Sequence, residues 1–480
     1  MFKIPMLKTI PLTTMIFCSS LHGGEYEDWL KSQNNQYNQY KKSIDQEFSQ
    51  MLQNEWKNFK TQNSPKSFKQ PKPKTIPIVK SNPKTTKKNI DSKKIKPIKI
   101  IKKKIDKPKI EPIKKLSTKY KDISFIFYGQ NIDISYDKKF DFQLYKIDKK
   151  AISDIWQHLS KVDFKSIDKQ IKHYSDIFDF NDWAKYKFIY TIGLNIYNDK
   201  NKANIFTWYI FTKMNYDIKI GYKTDKTYLL ARVKEDLYQV SFFNLKDKKY
   251  YILTPSGKIA SIGSIYTYPS NYPNANKILS FNLNNKRIKL YTNIVSKNLT
   301  FDYQNKNYSF NVKYSKDLIE FYKTFPQSQY QLYFNSKKSL PINNTLLIEL
   351  KDTIENMTEI AAVNFLLRFT QKSFKYKTDY DQFRYEKVLF PEETVYYPYS
   401  DCEDRTIMFS YLVKSLLNLD LVGLKYSDHL SAAVHFSTNI NGDHILFNGK
   451  KYIITDPTYI NANAGISMPK YKNSRFEIIR

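Results

Sequence analysis

Residues 61–119 hold twenty lysines and eight prolines against three carboxylates (Asp91, Asp106, Glu111), with no glycine. The net charge of this stretch is therefore 20 − 3 = +17, out of +32 for the whole chain. Proline fixes φ and like charges repel, so residues 62–119 are expected to form an extended, disordered basic linker without a core of its own. A folded core must then come from the flanks. A tether of this kind could touch an anionic envelope surface, lipid or acidic glycan. Nucleic acid is not expected as a partner, because the basic tract lacks the interleaved aromatics on which bases stack. Lysine, asparagine, isoleucine and tyrosine are also heavily used along the entire chain, which weakens any inference from charge alone.

The N-terminal flank has two parts. Residues 1–24 resemble a secretory signal: Lys3 and Lys8, a short apolar run through Ile16 and Phe17, then Ser19, Ser20, Gly23 and Gly24. Phe17 before Cys18 argues against lipoprotein processing. Export to the periplasm or cell envelope is the expectation. Residues 25–61 place Leu30, Tyr37, Tyr40, Ile44, Phe48, Met51, Trp56 and Phe59 mostly three or four apart, the signature of an amphipathic helix for docking or a coiled-coil pair.

The C-terminal flank turns globular near Tyr120. Residues 120–260 read as an α+β domain with a helical block over about 149–215, and residues 261–349 as a β-rich domain that includes a strand at Ile288-Lys289-Leu290-Tyr291. An internal echo links a helix end and strand at 209–222 to another at 411–423. Each is followed by a strand pair, closing at Tyr250-Tyr251-Ile252-Leu253-Thr254-Pro255 and at Tyr452-Ile453-Ile454-Thr455-Asp456-Pro457. Residues 120–260 thus read as a degenerate duplicate lacking the cysteine of the later copy.

That cysteine carries the chemistry. The chain has two, Cys18 and Cys402, so loss of a leader leaves one thiol and no internal disulfide. A lone thiol in an oxidising compartment is a liability unless it has a use, the alternative being a buried inert cysteine. In Ser400-Asp401-Cys402-Glu403-Asp404-Arg405, Ser400 and Glu403 have capping-box spacing, so they are read as the helix cap with Cys402 in the first turn. There the helix dipole and unsatisfied backbone N–H groups favour a thiolate and can bind an oxyanion. A general base and an orienting group are needed as well. A hairpin turning at Asn441-Gly442 sets His429 opposite Ile454, close to Asp456, so His429 is the base and Asp456 its orienting carboxylate. A competing turn at Asn448-Gly449 would alter that register and keeps His435 as an alternative base. His444 adjoins the turn and is expected to face solvent. Tyr397 and Tyr399, just upstream, are candidate acyl-site or oxyanion residues as well as candidate core. No metal-ligand spacing and no phosphate-binding glycine loop appear, so neither metal nor cofactor is expected.

Cys402 opening a helix, His429 opening a strand and Asp456 closing the next before Pro457-Thr458 resemble the transglutaminase-like superfamily, including bacterial periplasmic transglutaminase-like cysteine proteinases. The resembling region is about 350–465, and the catalytic domain is taken as 350–480. The resemblance implies an α+β, papain-like fold, with the cysteine helix packed on an antiparallel sheet bearing the histidine and aspartate. It also implies thiol attack on an amide through a Cys402–His429–Asp456 triad. The acyl group would pass to water, as in a peptidase or amidase cutting an envelope protein or peptide, or to an amine, as in a crosslinking transglutaminase. The third alternative is a non-catalytic envelope scaffold with a vestigial domain. Leu430 after the histidine, where family members often carry tryptophan or alanine, and the 27-residue spacing from His429 to Asp456 depart from the family pattern.

Overall fold

The computed structural model describes residues 23–65, 77–78, 93–96, 98–105, 119–258, 261–337 and 339–480. The expected leader lies outside these residues except for Gly23 and Gly24, as does much of the segment 62–119. No helix among the described residues is long and apolar enough to cross a membrane.

The architecture is α+β with antiparallel sheets. The first helix, Gly23–Asn54, buries Phe48, Met51 and Leu52, with the Phe48 ring edge-on to Trp156 at 4.6 Å. It stops short of the expected end. Trp56 tucks under Tyr222 and Tyr266, and Lys57–Lys60 becomes an edge strand paired with Ser264–Thr267, which carries Phe59 into a sheet. The expected 149–215 block resolves into four helices, Lys149–Leu159, Phe164–Ile177, Asp182–Tyr197 and Lys200–Lys213. Three begin at a capping side chain: Asp148 accepts from the Ala151 amide, Asn181 from Ala184, and Asp199 from Asn201 and Lys202.

Two expectations need correction. The described parts of segment 62–119 are not a free tether. Gln62–Asn63 pairs with Ser241 and Phe242, Lys94 bridges Thr358, and Ile95, Ile100 and Ile105 pack against the core while the intervening lysines stay in water. Isoleucines spaced five apart supply the anchorage that the lysine count hides. The second lies within residues 261–349, at a strand expected from its alternation. Ile288-Lys289-Leu290-Tyr291 is not a strand, although Ile288, Leu290 and Tyr291 are buried. The region contains one long hairpin, Ile294–Tyr303 with Lys306–Ser315, and turns helical from Lys316. That hairpin presses Phe301 and Phe310 onto Phe365 and Phe369 of the helix Glu359–Ser373.

The two main sheets share one topology. After helix Lys200–Lys213 come strands Ile218–Lys223, Lys226–Ala231, Ser241–Leu245, Lys248–Leu253 and Ser264–Thr267. After helix Cys402–Leu417 come Asp420–Lys425, Leu430–His435, His444–Phe447, Lys450–Thr455 and Glu477–Ile479. Numbered within each set, both lie side by side in the order fifth, first, second, fourth, third, and the first sheet gains Lys57–Lys60 and Gln62–Asn63 at its edges. The third-to-fourth hairpins turn through two left-handed residues each, Lys246-Asp247 and Asn448-Gly449, as a tight hairpin of this twist requires.

A buried lysine marks the first sheet. Lys219 is fully enclosed, donates to the Ser270 carbonyl (2.7 Å) and the Asn271 side chain, and lies over Tyr268. Burial pushes its ammonium down to about 7 from 10.5, so between these values the unfolded chain holds more protons than the folded one. Stability is then expected to rise with pH across that window and to be lowest below it. Chemical unfolding of native protein at pH 7 and pH 9 should show this gain, and Lys219→Met should reduce it. An identical pH dependence in the two proteins would show that Lys219 is charged in the fold.

Candidate active site

The helix Cys402–Leu417 is buried along most of its length, so its position is set by contacts on every side. Its N-cap is Asp401, and the Asp404 carboxylate accepts from the amides of Asp401 (3.2 Å) and Leu389 (2.8 Å). The sequence contains two overlapping capping patterns, and the later one forms. Ser400 and Glu403 are therefore not the cap. Ser400 belongs to the short strand Tyr399–Ser400, paired in parallel with Lys375–Tyr376, and its hydroxyl accepts from Arg405 Nε (3.3 Å). Glu403 instead accepts the thiol hydrogen of Cys402, Sγ to Oε2 3.1 Å. Arg405 donates to the Phe374 carbonyl and lies under Tyr376, and burial pushes its guanidinium down to about 10.

Cys402 is the first residue of this helix. Four residues on, the Thr406 hydroxyl shares its hydrogen between the carbonyls of Cys402 (2.7 Å) and Leu430 (3.0 Å). Leu430 follows His429, so this hydroxyl ties the cysteine's turn to the entrance of the histidine strand.

The hairpin turns at Asn448-Gly449, not at Asn441-Gly442. Strand Leu430–His435 pairs with Lys450–Thr455 through Ala432 opposite Thr455. This places His429 and Asp456 just beyond the same end of the ladder, where the side chains meet directly: His429 Nε2 to Asp456 Oδ2 is 2.8 Å. The other Asp456 oxygen accepts from the amides of Thr458 (2.8 Å) and Tyr459 (3.2 Å), which fixes the carboxylate plane. With Nε2 donating to Asp456, Nδ1 carries the lone pair, and Nδ1 is buried without a hydrogen-bond partner. Behind Asp456, Gln371 donates to the carbonyls of Asp456 (3.0 Å) and Tyr459 (2.8 Å), while Arg368 grips Asn461 and Asn463. Helix Glu359–Ser373 thus holds the loop that bears the carboxylate.

His435 is not part of this cluster. It lies six residues along the strand, ~20 Å from His429 at strand rise, pairs with Asp420 and binds the Lys451 carbonyl through Nδ1 (2.9 Å). His444 is exposed and bonds Gly442. Tyr397 packs edge-on against Phe383 and Tyr396, each at 4.9 Å, and Tyr399 sits under Lys377 Nζ at 5.0 Å.

The aromatic that reaches the imidazole is Tyr471, from the short turn Pro469–Tyr471. Its ring stacks on His429 at 4.8 Å, Tyr426 stacks on His429 and packs tilted against Tyr471, and the Tyr471 hydroxyl donates to Asp428 (3.0 Å). Burial, the bond to Asp428, and the charges of Cys402 and Asp456 push the Tyr471 phenol up, so it stays a donor. Nothing in the sequence around Tyr471 marks it, because its contact is made across forty residues of chain. The assembled site is closed: Cys402 is 1% exposed, His429 0% and Asp456 2%.

One further group adjoins the thiol. Carboxylate oxygens of Asp379, Asp401 and Glu403, all buried, lie within 4.8 Å of one another. An all-oxygen set of this kind suits a hard cation such as Mg²⁺ or Ca²⁺ rather than zinc.

Compared with protein-family models, curated proteins and solved structures, the chain has no significant match.

The Thr406 bridge predicts a measurable cost. Thr406→Val removes the hydroxyl donor shared by the two carbonyls and should lower unfolding free energy by ~0.5–1.5 kcal/mol, read from urea midpoints, whereas Thr406→Ser should stay near native. A valine variant as stable as native would mean the hydroxyl does not tie helix to strand.

Proposed function

We propose that residues 350–480 are a transglutaminase-like, papain-type thiol hydrolase acting on an amide or peptide bond, with Cys402 as nucleophile, His429 as base and Asp456 as orienter. The observation that carries this reading is the directed histidine: Asp456 takes Nε2, which leaves the Nδ1 lone pair beside a strand start tied to the cysteine's helix turn. The thiol proton passes to Nδ1, and Sγ attacks the carbonyl carbon. The developing oxyanion meets backbone N–H groups of the first helical turn. The imidazolium returns its proton to the leaving amine as the C–N bond breaks. Water, deprotonated by the same imidazole, then cleaves the thioester and restores the thiol. An amine in place of water would give the crosslinking outcome from the same intermediate. The leader-like N-terminus makes an exported protein or peptide the expected substrate.

Substrate entry requires the cover to move. Tyr471 is held by ion pairs on neighbouring residues, Lys470 with Asp428 and Lys472 with Asp443 (3.0 Å), whose lysines are exposed. Pairs of this kind are worth ~0–1 kcal/mol each, so the main cost of opening is separating the buried Tyr471 ring from His429 and Tyr426.

The identical strand order of the two sheets supports reading the first as a copy without this chemistry. At the three corresponding places it carries Lys200 opening the helix, Asp225 before the second strand and Thr254 after the fourth.

A second reading, a non-catalytic scaffold, is favoured by the sulfur's enclosure and its bond to Glu403. The two separate on covalent trapping. Full-length protein incubated with a library of activated peptide esters should yield a thioester adduct on Cys402 by mass spectrometry. That adduct should be absent in Cys402→Ala and form roughly 10²–10⁴-fold more slowly in His429→Ala. A protein that never acylates, even as Tyr471→Ala, is a scaffold.

A further inference from the structure

A second site lies at the far end of the cysteine's own helix. Twelve residues beyond Cys402, ~18 Å along the axis, Lys414 and Ser415 line a cavity of about 300 Å³ together with Arg287, Lys337, Asn335 and Asn343. Three cations and no carboxylate face this space. In a chain where lysine supplies most of the positive charge, an arginine at such a place is notable: only seven of the 78 basic residues are arginine.

Among the described residues, neither Arg287 nor Lys414 has a carboxylate at ion-pair distance, and Arg287 Nε is enclosed without a hydrogen-bond acceptor. The nearby acids are engaged elsewhere. Asp179 accepts from Lys286 Nζ (3.0 Å) and the Arg287 amide (2.8 Å), Asp420 from Arg480 (3.4 Å) and Tyr452 (2.7 Å), and Glu392 from the Ser339 amide (2.6 Å). Among the described residues, Lys337 Nζ donates to the Asn285 carbonyl (3.4 Å). Asn343 gives its carbonyl oxygen to the Tyr411 hydroxyl (2.6 Å), which leaves its NH₂ as the group able to donate. Burial pushes the Lys414 ammonium below its usual value, against a partly offsetting attraction from Asp420.

We propose that this cavity binds a compact multivalent oxyanion, a phosphate or phosphomonoester group, held between the Arg287 guanidinium and the Lys414 and Lys337 ammonium groups. Phosphate suits the site because one dianion satisfies several cations at once. The guanidinium fork supplies paired N–H donors and the lysines supply point charges. The volume leaves room for the small group that bears the phosphate.

The test is calorimetric titration of full-length protein with inorganic phosphate and with glycerol phosphate, at constant ionic strength set by chloride. Saturable one-to-one binding is expected, weakened at least ~10-fold by Arg287→Gln and by Lys414→Gln and unchanged by Lys470→Gln on the surface. Both cavity variants should melt no lower than native, since each removes a charge without an ion-pair partner. Flotation with phosphatidic acid vesicles assigns the source: flotation lost in the same variants places the phosphate on a lipid headgroup, and binding without flotation places it on a soluble ester. No saturable binding, or binding indifferent to both substitutions, overturns the proposal. Cys402 acylation is unaffected by either result.

Discussion

The hydrogen bond between His429 and Asp456 joins two neighbouring strands just beyond the end of their shared ladder, and most of the C-terminal half is arranged to hold it. A histidine with no exposure and an aspartate with almost none are costly to bury singly, and together they satisfy one another. The carboxylate's other oxygen is fixed by two backbone amides, and its loop is clamped by Gln371 and Arg368 from a helix more than eighty residues earlier in the chain. That helix is in turn pinned by the Phe301 and Phe310 face of the long hairpin. Aromatic packing, backbone register and side-chain hydrogen bonds all converge on the orientation of one imidazole.

The same strand order built twice gives a comparison within one molecule. In the first sheet the helix start and second strand are joined by amide contacts: Asn201 accepts from the Thr227 amide (2.8 Å), and Asn204 donates to the Thr227 carbonyl (2.9 Å). In the second sheet the Thr406 hydroxyl makes a corresponding join, with the cysteine and histidine close by in sequence. Where the first sheet closes this seam with the Asn201 and Asn204 side chains, the second carries Cys402 and His429 next to it in sequence.

Much of this was legible in the sequence, and the failures have local causes. Cys402 at a helix start, His429 at a strand start and Asp456 at a strand end were readable because each is fixed by a nearby pattern: a cap, an apolar run, an Asp-Pro-Thr turn. The cap itself was misassigned by one residue, since Ser400-x-x-Glu403 and Asp401-x-x-Asp404 overlap and only the strand pairing of Ser400 decides between them. The hairpin tip followed the left-handed preference of Asn448-Gly449, and an eight-residue loop at 436–443 restored a register that still brings His429 to Asp456. Ile288-Lys289-Leu290-Tyr291 has the alternation of a strand and the burial of one, yet no neighbouring strand to pair with. Tyr471 and the cations around Arg287 were invisible because their meaning comes from partners far along the chain.

The account stands or falls on whether the Cys402 sulfur and the His429 imidazole share a proton. The direct measurement is the rate of iodoacetamide labelling of Cys402 at pH 6 in native and His429→Ala protein, each referenced to the urea-unfolded chain. Removing the ring opens space, so access alone would speed labelling. Native protein is expected to label at least ~10-fold faster than the variant, because the thiolate forms at this pH only with the imidazole beside it. Equal rates, or faster labelling of the variant, would contradict the account.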